Sequence, residues 1–125
     1  MPITLNFIFG KIEVFPNYVI AVMKEGVTVK PEYNAELIAI SNKYFENRPF
    51  AYITHRLNSY SVDPRTYIET SKIENLVAFA VVSNKTINIS NSELEKIFLK
   101  KPFDHFDNLE EAIDWVTEVV ANVSA

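Results

Sequence analysis

FAYITHRLNSYSVDP, Phe50 to Pro64, is the stretch whose reading decides the fold. Its opening run, Phe50 to Ile53, is apolar and reads as a strand. Thr54, His55, Arg56, Asn58, Ser59, Tyr60 and Ser61 break that strand into a polar loop. Asp63-Pro64 then reads as the start of a short helix over Pro64 to Ser71. Aspartate accepts from the free N–H groups of a first helical turn, and proline fits the first position because it has no N–H to lose. Strand, loop and helix in this order make one step of an α/β sheet. In such sheets, ligands and partners are met at the loop leaving a strand's carboxyl end.

Downstream, LVAFAVV (Leu76 to Val82) is the most hydrophobic run in the chain. Its unbroken apolar character predicts a central strand covered on both faces and parallel to Phe50–Ile53. Ile87, Leu94 and Phe98 share a helical spacing, so a helix is expected to begin near Lys85 or at Ser90. Ser90 and Glu93 have capping-box spacing, which favours the later start. Pro102 ends that helix, and Phe103 to Phe106 reads as a short strand. Asp107 or Asn108 caps a last helix, whose stripe of Leu109, Ala112, Ile113, Val116 and Val120 has Trp115 beside it.

Upstream, Ile3 to Phe15 reads as a half-buried strand, with Ile12 and Val14 opposite Lys11 and Glu13. Gly10 marks a bulge or a split in it. Pro16-Asn17 is a turn, and Tyr18 to Met23 is a second strand pairing back as an antiparallel hairpin. Lys24 to Val29 is expected to be loop. Pro31 opens a helix on which Tyr33, Leu37, Ile40 and Tyr44 form one face. The fold class is therefore α/β: a mixed β-sheet with an N-terminal antiparallel hairpin, followed by alternating helices and strands with right-handed crossovers.

Composition bounds the function. At 125 residues the chain reads as one domain, 1–125, able to bury a core without a staple. It has no cysteine, so neither disulfides nor thiolate metal sites are possible. A net charge of −4 argues against nucleic acid, which calls for a basic face. No run approaches the ~20 apolar residues of a membrane span, and no basic residue precedes the first apolar run. Cytoplasm is the expected location.

The chemistry-bearing patterns are mostly excluded. Gly10 and Gly26 are the only glycines, so no phosphate-cradling loop exists. His55 and His105 lack partners at ligand spacing, so no metal is expected, and no cofactor. His55, a loop serine and Asp63 sit in one short segment. Working triads instead draw from separate elements and need an oxyanion hole. Most aromatic residues fall at core positions, but Tyr60 and Tyr67 fit no buried stripe, and Tyr and Arg are favoured anchors at interfaces.

Two stretches carry a resemblance. One is LVAFAVV followed by a polar helix. The other is FLKKPFDHFDNLEEAIDWV, Phe98 to Val116: a Pro-Phe, a short strand ending in Phe-Asp, then an acidic helix with Ala and Trp. With the order of elements, they resemble the STAS domain (sulfate transporter and anti-sigma-factor antagonist), in its SpoIIAA-like branch of small bacterial proteins. The resemblance implies a non-enzymatic regulatory module. In the antagonists, a partner kinase phosphorylates a serine at the start of the helix after the third strand. The matching region here is Ser59 to Asp63, so Ser59 and Ser61 are the implied phosphorylation sites. The antagonists carry an Asp-Ser-Ser-Gly-like sequence there, whereas this chain has Asn58-Ser59-Tyr60-Ser61-Val62-Asp63 with no glycine. Relatives also imply a lipid or small apolar ligand.

The expected function is thus a non-catalytic module, monomer or homodimer, that binds a protein partner through the loop after the third strand. The expected contact residues are Arg56, Asn58, Ser59, Tyr60, Ser61, Arg65 and Tyr67, with Tyr60 as apolar anchor. The alternative is an apolar ligand held between sheet and helices.

Overall fold

The computed structural model describes residues 3–46, 48–58, 60–63, 65–83 and 102–124. The helix expected between Lys85 and Lys101 lies outside the described residues, as do Ser59, Pro64 and the side chain of Tyr67.

The N-terminal segment is split, the second of the two outcomes that Gly10 allowed. β1 (Ile3–Phe7) and β2 (Gly10–Val14) form a tight hairpin around Ile8 and Phe9. Gly10 is required on two counts. Its φ of 153° lies where side chains are strained, and an added Cβ would sit 2.3 Å from the Val22 carbonyl oxygen. β2 pairs antiparallel with β3 (Tyr18–Met23), the expected hairpin, so β1 extends it to a three-stranded meander.

From β3 onward the pairing is parallel. β3 pairs with β5 (Phe50–His55), β5 with β7 (Leu76–Val82), and β7 with β8 (Phe103–Phe106). The six-stranded order is β1-β2-β3-β5-β7-β8, a mixed sheet. The expected buried parallel strand is β7, with Phe79 in the core. Two short strands, β4 (Thr28–Val29) and β6 (Ser61–Val62), pair parallel in a separate two-stranded ladder. Both were expected to be loop. Two residues are too few for an alternation to register in sequence.

Pro31–Tyr33 forms a 3₁₀ turn that runs into α1 (Asn34–Ile40). A wider, π-helical turn over Ser41–Phe45 follows and ends at Glu46 in the left-handed region. Leu37 and Ile40 are buried, and Tyr33 and Tyr44 are half-buried against the same core, as their spacing predicts. α2 (Arg65–Ser71) starts behind Asp63, whose Oδ1 accepts from the Arg65 N–H at 3.0 Å. α3 (Leu109–Ser124) is capped by Asn108, whose Oδ1 accepts from the Glu111 N–H at 2.9 Å.

Alternation along the strands sends side chains to two separate cores. Ile12, Val19, Met23, Phe50, Tyr52, Phe79 and Val81 pack with Leu37, Ile40 and Phe45 on one face. Ile20, Ala51, Ile53, Ala78, Ala80 and Val82 pack with Ala112, Val116 and Val120 of α3 on the other. Among the described residues, no helix is long and apolar enough to cross a membrane.

Candidate functional site

The loop after β5 leaves the sheet at the carboxyl end of a parallel strand, as the sequence predicts. Its path is tied down at each step. Arg56 N–H donates to the Val82 carbonyl at 2.9 Å, so the ladder with β7 continues one residue past the strand. Leu57 N–H turns back to the His55 carbonyl at 3.0 Å. The Asn58 side-chain amide donates to the Met23 carbonyl at 2.8 Å, fixing the loop to the end of β3. Ser61 N–H and Asp63 N–H then donate to the Val27 and Val29 carbonyls at 3.0 and 2.9 Å.

Two expected contact residues point inward. Tyr60 is half-buried against the aromatic core, and its hydroxyl lies 2.7 Å from Thr54 Oγ1. The Arg56 guanidinium lies over the Tyr60 ring, 4.9 Å from its centroid. Tyr60 therefore offers a partner only part of its ring. The apolar side chain that projects is Leu57, 61% exposed. Sequence reasoning passed over it because one leucine in a polar loop breaks no pattern.

Arg56, Tyr60 and Thr54 cover a cavity of about 50 Å³. Its walls are largely apolar, among them Ile12, Met23, Val29, Leu37 and Phe79. At the ~10–15 Å³ of such space that one water needs, the cavity suits a few waters and falls far short of an acyl chain. A buried polar chain forms part of its wall. Asn34 Nδ2 donates to the Thr66 carbonyl at 3.1 Å, and Thr70 Oγ1 donates to Asn34 Oδ1 at 2.8 Å. Thr66 Oγ1 donates to the Val29 carbonyl at 3.3 Å. These bonds join α1, α2 and β4. The partners lie more than thirty residues apart, so no local spacing announces them.

The remaining expected residues are spread out. Asn58 and Ser61 are exposed, and Ser61 sits in β6. Arg65 is exposed and bonds the Asp63 carboxylate, its Nη2 2.6 Å from Oδ2. The Arg65 side-chain and backbone bonds hold the Asp63 carboxyl below the usual carboxylate range. His55 does not join them. Strand alternation and its pairing with Val82 set it on the α3 face, away from Thr54 and Tyr60. Partial burial holds its imidazole below the usual value. Burial pushes the Tyr52 phenol far above its usual value; Tyr60 adds to this, and Arg56 opposes it. Among the described residues, no three acidic, histidine or cysteine groups cluster as metal ligands.

No family model matches the sequence, and no curated protein matches it. Among solved structures, the chain is similar to an uncharacterized protein of the DUF3478 family from Shewanella loihica PV-4, described as having a SpoIIAA-like fold. The TM-score is 0.54 at 9% identity, over 93% of this chain and 92% of that one. At that identity the likeness speaks to architecture alone: the chain has the SpoIIAA-like fold.

Proposed function

We propose that this chain is a non-catalytic, STAS-type regulatory module that binds a protein partner through the loop after β5. The observation that carries the reading is the loop's construction. Arg56, Asn58 and Tyr60 secure it from beneath, while Leu57 projects, 61% exposed. An exposed apolar side chain on a pre-organised loop costs little ordering entropy when a partner covers it. The hydroxyls of Thr54, Tyr60, Thr66 and Thr70 engage one another, Asn34 or backbone carbonyls, an arrangement that suits support more than nucleophilic chemistry. The cavity's small volume weighs against a lipid bound within it.

In this reading Arg56 and Tyr60 set the loop's shape, and Leu57, Asn58, Ser59 and Ser61 form the contact surface, with Arg65 and Tyr67 at its margin. Phosphorylation at Ser59 or Ser61 would be the switch, adding about two negative charges to that surface. The test is capture from a lysate of the source organism on immobilised protein. Leu57→Asp and Ser61→Asp are compared with wild type and with Ile38→Asp, a control on the exposed side of α1. The expected result is a protein retained by wild type and the control, lost with Leu57→Asp and altered with Ser61→Asp. Identical capture by wild type and all three variants would overturn the proposal.

A further inference from the structure

The edge of the sheet formed by β1 is built differently from the other end. β8, the last strand of the described sheet, carries Asp104, whose carboxylate takes the His105 N–H at 2.8 Å. Prolines and charges are the usual means by which proteins blunt an edge. β1, Ile-Thr-Leu-Asn-Phe, has no charge, and among the described residues only β2 pairs with it. Ile3, Leu5 and Phe7 lie opposite Val14, Ile12 and Gly10, on the face of the aromatic core. Thr4 and Asn6 point to the other face. Ile3 is 46% exposed, and Ile8, at the hairpin tip, is 81% exposed.

The strand is palindromic in kind about Leu5: apolar, polar, apolar, polar, apolar. We infer that β1 pairs antiparallel with β1 of a second copy about a two-fold axis at Leu5, joining the two sheets into one. This register sets Ile3 against Phe7 of the second copy, Leu5 against Leu5, and Thr4 against Asn6. All three apolar positions meet on one face, and the exposed Ile3 is covered. Phe7 also lines an open groove of about 590 Å³ with Ile8, Phe9 and Tyr33, so Ile3 of the second copy comes to rest at its mouth. A two-fold interface requires a patch to complement itself, and this pattern does so without a charge on either side. A charged peptide would find no opposite charge on β1.

The experiment is molar mass by light scattering on the full chain across a concentration series. Wild type is expected to approach twice the 14.3 kDa monomer mass. Thr4 and Asn6 are both exposed, so substitution there leaves the core intact. T4E/N6E places carboxylates opposite one another across the interface and is expected to return the mass to that of a folded monomer, checked by its circular dichroism. T4K/N6E places lysine opposite glutamate at both positions and is expected to dimerise. Leu57→Asp, on the separate loop, is expected to leave the mass unchanged. A monomeric wild type, a dimeric T4E/N6E or a monomeric, folded T4K/N6E would each overturn the inference.

Discussion

The two faces of the sheet are packed by different means. Against α3 the sheet presents small residues, Ala51, Ala78 and Ala80, and the helix answers with Ala112 between Leu109 and Val116. Small side chains on both sides let helix and sheet approach closely. The opposite face is made of rings: Phe45 on Phe50 at 4.4 Å, Tyr52 on Phe79 at 4.9 Å, and Phe9 on Tyr33 at 4.6 Å. Asn34, Ser41, Thr54, Thr66 and Thr70 are buried on that side, and the cavity lies there too. Buried polar groups are retained only when hydrogen-bonded, and their geometry then fixes which segments meet. One face seals the domain; the other positions a loop.

That contrast can be broken first at Phe79, which is buried between Tyr52 and Phe103. Phe79→Ala should cost ~3–5 kcal/mol in denaturant unfolding. A loss below about 1 kcal/mol, far under the range for a buried ring, would show the ring face to be loosely packed. Enlargement should then separate the two faces. Ala78→Leu forces a larger side chain against α3 and should cost ~1–3 kcal/mol. Val29→Ile adds one methylene at the cavity wall and should be neutral or stabilising by up to about 0.8 kcal/mol. Equal penalties would erase the distinction.

Smaller effects sharpen it. Tyr60→Phe removes the hydroxyl next to Thr54 and should cost about 0.5–1.5 kcal/mol, with the loop loosened locally. The pH dependence should be smaller still. His55 is held neutral by burial, so its folded pKa lies below the unfolded value of about 6.5. Its contribution is complete above that value and is lost as pH falls through it towards the lower folded pKa. The melting temperature should therefore decline below about pH 6.5, and His55→Asn should flatten that decline. An unchanged slope in the variant would move the effect to another group.

Much of the architecture was legible in sequence, because long periodic signals survive without tertiary information. Leu76–Val82 has no polar interruption, and Leu109 to Val120 keeps one stripe through the helix. Asp63 and Asn108 stand at helix starts where their side-chain oxygens accept from local backbone N–H groups. The site was less legible. That the loop follows β5 could be read, but which of its side chains turn inward could not. Tyr60 is drawn in by Thr54 and the ring face, and Arg56 by Tyr60, both through contacts set by the closed fold. The β4–β6 ladder escaped notice for a related reason: each of its strands exists only because the other is there.

The account rests on the loop being held from the ring face, and amide hydrogen exchange with residue resolution tests this most directly. In wild type, the Ser61 and Asp63 amides, bonded to Val27 and Val29, should be protected, whereas an unbonded loop would exchange freely. Tyr60→Ala should accelerate exchange from Arg56 to Asp63 and leave the interior amides of α3, on the other face, at their wild-type rates. Unprotected Ser61 and Asp63 amides in wild type, or a Tyr60→Ala variant whose loop exchanges no faster, would contradict it.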